Sequence, residues 1–122
     1  MMRLRRFTSS SGIEILVGQD DESNDQLTLK IGHPEDIWLH VKGAPGSHVL
    51  LRSGAEERRP DRQSLEEAAA LAAWFSKLRG AGVVRVHHCA LKHVGKPRGA
   101  KTGTVVLKRA QTIKVRPGLP KM

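Results

Sequence analysis

Two periodicities divide the chain. Ile13 to Val17 alternates and then runs apolar, and Leu27-Thr28-Leu29-Lys30-Ile31 alternates cleanly. A period of two marks a strand with one buried face. Between these segments, Gly18 to Asp25 is acidic and turn-like, so the pair is predicted to form a hairpin. Thr8 to Gly12, ahead of them, reads as a turn or loop, and Gly32-His33-Pro34 ends the second strand. Ile37-Trp38-Leu39-His40-Val41 is a third strand. Its alternation puts Ile37, Leu39 and Val41 on one face and Trp38, His40 and Lys42 on the other. After the Gly43-Ala44-Pro45-Gly46 turn, Ser47 to Arg52 resumes as a strand, and Ser53 to Gln63 is a polar loop.

The period then changes. Leu65, Ala68, Leu71, Ala72, Phe75 and Leu78 recur at helical spacing, which predicts a helix over about 65–79. Ser64 and Glu67 match a capping box at its start. Gly80 and Gly82 are expected to stop it, with Lys77 and Arg79 favouring its negative end. The alanines leave a narrow face that can sit close to a sheet. Val83 to His87, Thr104 to Leu107 and Thr112 to Val115 return to strand character. The fold class is therefore α+β, a mostly antiparallel sheet with one main helix packed on it. Residues 1–122 are expected to form one domain, with a core over about 7–117 and a loose tail at 118–122.

Charge changes this picture more than composition does. The net charge is +9. From Lys77 onward there are twelve Lys and Arg and no Asp or Glu, whereas residues 1–76 hold nine bases against twelve acids. A strongly positive section attracts polyanions through its long-range field and through counterion release. A basic surface that serves only solubility usually mixes both signs. No apolar run is long enough to span a membrane, and a membrane surface fits less well because no amphipathic basic helix accompanies the charge. The basic start has no apolar stretch behind it and does not read as a secretory signal. Cys89 is the only cysteine, so no internal disulfide can form, which suits a reducing compartment such as the cytoplasm.

Two glycine-rich loops could carry chemistry. In Lys42-Gly43-Ala44-Pro45-Gly46-Ser47-His48, glycines let backbone amides approach an oxyanion, and Lys42 and His48 can pair with phosphate. An ordinary hairpin turn has the same composition. Gly95 to Gly103 holds Lys96, Arg98 and Lys101 among three glycines, a basic finger suited to a nucleic-acid backbone. Ala100 stands where a phosphate-binding loop needs glycine before its lysine, and no helix follows, so nucleotide hydrolysis is rejected. Trp38 is placed either for stacking, on the face shared with His40, or for the core. The histidines and Cys89 have no strong ligand spacing, so no metal and no cofactor is expected. His88 and Cys89 read as packing residues. A small RNA-processing enzyme using His40, His48 and Asp36 is an alternative, and so is a module docking on an acidic or ribosomal protein. A small-molecule substrate is not indicated.

The segment Asp36 to Val49 closely resembles the signature of the NFACT-R domain, the RNA-binding module of the NFACT proteins. Asn24-Asp25, Ala68-Ala69, Ala72-Ala73, Ser76-Lys77 and Lys96 to Gly103 follow in the family's order and spacing, so the resemblance covers about Phe7 to Pro117. It implies RNA as partner and, in full-length relatives, association with the large ribosomal subunit and transfer RNA. Trp38, His40, Lys42, Ser47, His48, Lys96 and Lys101 match the family's motif residues, and Arg98 joins them from its place in the basic loop. His88 stands where the family often has Tyr, Thr102 where it often has Pro, and Leu39 where Phe is common. The chain looks like a stand-alone NFACT-R protein without the family's other domains, so tailing of stalled nascent chains is not carried over. A role in ribosome quality control, translation or RNA modification is what the resemblance suggests. Phosphate contacts alone would suit DNA equally.

Overall fold

The computed structural model describes residues 3–53 and 60–120. Met1-Met2, most of the polar loop expected after Ser53, and the end of the tail lie outside the described residues. Six strands form one antiparallel sheet: β1 (Leu4–Thr8), β2 (Glu14–Gly18), β3 (Ile37–Val41), β4 (Val49–Leu51), β5 (Val84–Ala90) and β8 (Gln111–Val115). They lie in the order β1-β2-β4-β3-β5-β8. A separate short ribbon pairs β6 (Val94–Gly95) with β7 (Val106–Leu107). The fold is α+β, with one main helix, α2 (Arg62–Trp74), and a short one, α1 (Asp21–Gln26).

The alternation expected for the central strands sets up two cores on opposite faces. Ile15, Val17, Leu39, Val41, Val49, Leu51, Val86 and Ile113 pack against Ala68, Ala69, Leu71, Ala72 and Ala73 of α2. The alanines are fully buried, which lets the helix lie close to the sheet. On the other face, Leu16, Leu50, Trp38 and Cys89 stand in register across β2, β4, β3 and β5. Leu27 and Leu91 cover part of that row.

Several boundaries differ from those read off the sequence. Residues 4–8 are a strand, where a loop was expected to begin at Thr8; β1 forms the edge by pairing Leu4 to Thr8 with β2. The predicted second strand, Leu27 to Ile31, is a π-helical turn that continues α1. Its apparent alternation failed because Leu29 is half exposed, while Leu27 and Thr28 are buried. The acidic stretch before it is a helix start. Asp20 caps it by accepting from the Ser23 amide at 2.7 Å, and the Ser23 hydroxyl accepts from the Asp20 amide at 3.0 Å. β2 therefore pairs with β1 and β4, and the expected hairpin does not form.

The main helix begins and ends earlier than predicted. Asp61 is its N-cap, accepting from the Ser64 amide at 2.6 Å. Ser64 and Glu67 instead hold the N-terminal turn. The Ser64 hydroxyl donates to Ser9 Oγ at 2.8 Å, and the Glu67 carboxylate accepts from the Ser10 amide and hydroxyl, both at 3.0 Å. Gly80 and Gly82 do not stop the helix. It ends at Trp74 because the Lys42–His48 loop competes for its last turn. The Ser47 amide donates to Phe75 O, and the Lys77 amide donates to Pro45 O, both at 3.0 Å. Gly46 bridges Ser76 there, and a Cβ on Gly46 would stand 2.8 Å from Ser76 Cβ. Only glycine permits that approach.

Asp36 secures the start of β3. It is fully buried and pairs with Arg52 Nε at 2.9 Å. Its oxygens also accept from the amides of His33 at 2.8 Å and Ser53 at 3.0 Å. Removing one partner of a buried pair leaves an uncompensated charge. Asp36→Ala is expected to destabilise the fold by about 3–5 kcal/mol, read as a lower midpoint in urea unfolding.

Candidate nucleic-acid interface

The face of the sheet opposite α2 is only partly covered, and its open end is basic. Lys42 follows β3 directly and pairs with Arg85, its amide donating to Arg85 O at 2.9 Å. Arg85 is in turn paired with Lys114 of β8. By strand parity all three project from the same face. Each is exposed. The neighbouring row is His40, His87 and Thr112, again in direct register. Directly opposed side chains on one face sit about 4.5–5.5 Å apart at Cβ, and like charges so placed are destabilising. Among the described residues, no carboxylate pairs with Lys42, Arg85 or Lys114.

Next to this row, a buried hydrogen-bond relay builds the wall of the site. The Trp38 indole N–H donates to Thr28 Oγ1 at 3.1 Å, and Thr28 Oγ1 lies 2.8 Å from His48 Nδ1. His48 Nε2 lies 3.1 Å from the Gly103 carbonyl. A carbonyl only accepts, so Nε2 carries the proton and Nδ1 accepts from the Thr28 hydroxyl. His48 is thus neutral, and desolvation, with the His40 charge second, holds its pKa down at about 4. Its own amide donates to Asn24 Oδ1 at 3.0 Å. Trp38, His40 and His48 form a ring cluster with centroids 5.1–6.0 Å apart.

The basic loop docks on the same wall. Asp25 Oδ1 accepts from the Gly103 amide at 2.9 Å, and Asp25 Oδ2 pairs with Lys96 Nζ at 3.2 Å. Lys96 also donates to the carbonyls of Lys101 at 2.6 Å and Thr104 at 3.1 Å. Its ammonium thus closes the loop on itself and onto α1.

The residues singled out from the sequence divide into two groups. Trp38 and His48 are buried, at 2% and 3% exposure, and Lys96 is engaged within the loop. Trp38 takes the core position that the sequence left open beside stacking. Lys42, Arg98 and Lys101 are exposed, and His40 and Ser47 are half-buried beside them. Burial lowers the pKa of His40, and burial followed by the Lys42 charge lowers that of His87. Arg85, His87 and Lys114 belong to this surface and were not picked out from the sequence. Their signal was the alternation in Val84-Arg85-Val86-His87 and Thr112-Ile113-Lys114, whose polar positions share one face.

Other candidate chemistry has no assembly behind it. Asp36 is held by Arg52 and lies four residues from His40 along the strand direction, roughly 13 Å at strand rise. Cys89 is buried, and burial raises its thiol pKa, the opposite of an activated nucleophile. Among the described residues, no group of three or more His, Cys, Asp or Glu is placed to hold a metal ion. No helix among them is long and apolar enough to cross a membrane.

One face of the antiparallel sheet thus carries a cation row and a docked basic loop. Residues 3–109 match the family described as the NFACT protein RNA binding domain, and the chain belongs to that family. Among curated relatives, it is 43% identical over 114 residues to the Rqc2 homolog RqcH of Bacillus subtilis, covering 93% of this chain and 19% of that protein. It is 38% identical over 113 residues to the Rqc2 homolog RqcH of Streptococcus suis, covering 92% and 20%. The chain thus spans about a fifth of the length of these relatives. The solved C-terminal part of the fibronectin/fibrinogen-binding protein from Streptococcus suis superposes with a TM-score of 0.90 at 34% identity, covering 97% of this chain and 47% of that one.

The burial of His48 gives stability a pH dependence of known sign. His48 has a folded pKa of about 4 against 6.5 for the free group. The unfolded chain therefore binds the extra proton first as pH falls. The stabilisation is complete above about pH 6.5 and is lost as pH drops toward 4. His48→Gln is expected to flatten part of that decline in urea unfolding across this range, with His40, His87 and His88, also lowered by burial, contributing further.

Proposed function

We propose that this chain binds RNA through the open sheet face, with phosphates resting on Lys42, Arg85 and Lys114 and on the basic loop at Arg98 and Lys101. The observation that carries this reading is the cross-strand row of three cations without an acidic partner among the described residues. Trp38, His48 and Lys96 act beneath that surface. They hold the loop against the sheet, so its exposed cations are presented from a fixed base. His40, His87 and Ser47 are neutral polar groups at the margin, suited to hydrogen bonds with sugar or base. We read the domain as a binding module and not as an enzyme, since Asp36 and His48 are both committed to internal partners.

Membership of the RNA-binding family favours RNA over DNA, because phosphate contacts do not distinguish them. Similarity to RqcH proteins supports a place in translation and ribosome-associated quality control, with transfer or ribosomal RNA as partner, in the cytoplasm. About 0.7 of a unit of salt slope per phosphate contact is typical for a single strand. Changing Lys42, Arg85 and Lys114 together to Ala is thus expected to lower the slope of log K against log salt by about 2. Affinity should fall for many RNA sequences alike. Thermal stability should hold or rise, because opposed like charges are removed. Fluorescence anisotropy with labelled RNA at several salt concentrations measures the first effect. An unchanged slope in a folded triple variant would remove these cations from the interface.

A further inference from the structure

A second group of cations lies on the other side of the Lys42–Ser47 turn, in an open cleft of about 370 Å³ at the end of α2. Its walls include Arg5, Ser47, Trp74, Phe75, Lys77 and Arg79, and among the described residues no acidic side chain lines it. Two of its guanidinium groups are held by aromatic rings. Arg79 lies 4.3 Å over the Trp74 ring, and its Nε donates to the Trp74 carbonyl at 2.7 Å. Arg5 lies 4.7 Å over Phe75. Phe75 is itself fixed by Phe7, with ring centroids 6.0 Å apart.

This mode of anchoring has a chemical consequence. A carboxylate partner would neutralise the guanidinium it positions. An aromatic face positions it and leaves its charge and terminal N–H groups available. Two such groups converge with the Lys77 ammonium on one concavity. A planar fork with free N–H donors matches the oxygens of a phosphate. The turn that leads from Lys42 to this cleft is locked at its far end by the Gly46–Ser76 bridge and the Ser47–Phe75 hydrogen bond. Gly43, at φ +80°, lets it reverse direction. Its short span puts the sheet row and the cleft on either side of one rigid turn.

We propose that the cleft at the end of α2 is a phosphate subsite, in which Arg5 and Arg79 grip a single phosphate of an RNA strand that passes over the Lys42–Ser47 turn. This rests on the RNA reading above and adds a second contact on the helix side of the sheet. The strand bends around the end of the sheet and does not stay on its open face. Trp74 serves as the platform for Arg79, so the subsite reads a phosphate and not a base.

The test compares the wild-type chain with Arg5→Gln/Arg79→Gln, both exposed positions, after thermal unfolding confirms that the variant is folded. Binding of a short RNA carrying a 5′-phosphate and of the same RNA with a 5′-hydroxyl is followed against salt. The variant should lose on the order of tenfold in affinity and about 0.7 of the salt slope, as expected for one phosphate contact on a single strand. Equal loss with both RNAs assigns an internal phosphate, and loss confined to the phosphorylated RNA assigns the strand end. Arg79→Lys keeps the charge but not the fork, and should lie between. If the wild type binds RNA and the variant matches it in affinity and slope, the subsite is overturned while the RNA reading stands. If the wild type binds neither RNA, the RNA reading falls. Uridine 5′-monophosphate then probes the cleft alone, through amide resonance shifts at Ser47 and Lys77. Shifts that vanish in the variant support the subsite, and their absence in the wild type overturns it.

Discussion

A hydroxyl placed between a tryptophan and a histidine governs much of this fold. Thr28 accepts from the Trp38 indole and donates to His48, and His48 passes the chain of donors on to Gly103. Buried polar groups must find partners, and a relay with one member missing strands the rest. Thr28 reaches its place only because Leu27 to Ile31 coils. That coil also places Asn24 and Asp25 where they meet the His48 amide and the basic loop. A threonine, a tryptophan and a histidine from three separate segments therefore fix both the short helix and the position of a loop more than fifty residues downstream.

How far the sequence reveals this depends on whether a signal is local. Strands β2, β3, β4, β5 and β8 were legible because each carries a short run of apolar or alternating residues. The helix was legible as an element, but its ends were not. Ser64 and Glu67 look like a cap, yet their partners are Ser9 and Ser10, more than fifty residues away. Leu27 to Ile31 alternates like a strand, and its coiled form brings Thr28 to Trp38. Lys96 resembles the other cations of its loop until Asp25, 71 positions earlier, is brought beside it. Arg85 and Lys114 could have been found by asking which polar positions share a sheet face with Lys42.

The acids explain why the positive charge is so available. Asp20, Glu14, Asp36, Glu66, Glu35 and Asp25 each pair with a base. Their partners include Arg3, Arg6, Arg52 and Arg62 from residues 1–76. Only Lys92 and Lys96 from the acid-free stretch after Ser76 are drawn into such pairs among the described residues. What remains unneutralised is concentrated on the open sheet face, the basic loop and the end of the main helix. The sequence asymmetry thus becomes a spatial one through the pairing pattern, and the charge is directed without any single strong site.

The sheet is open, with β1 at one edge and β8 at the other. Unpaired edges invite a neighbouring molecule to add its own strand, and charge is one of the means by which proteins prevent it. β1 carries Arg5 and Arg6, and β8 carries Lys114 and runs into Arg116. Two copies approaching edge to edge would bring guanidinium to guanidinium or ammonium to ammonium. The cations that suit a polyanion therefore also insulate the sheet against its own kind. A substitution that neutralises these edges would loosen that insulation even where it leaves every buried contact intact.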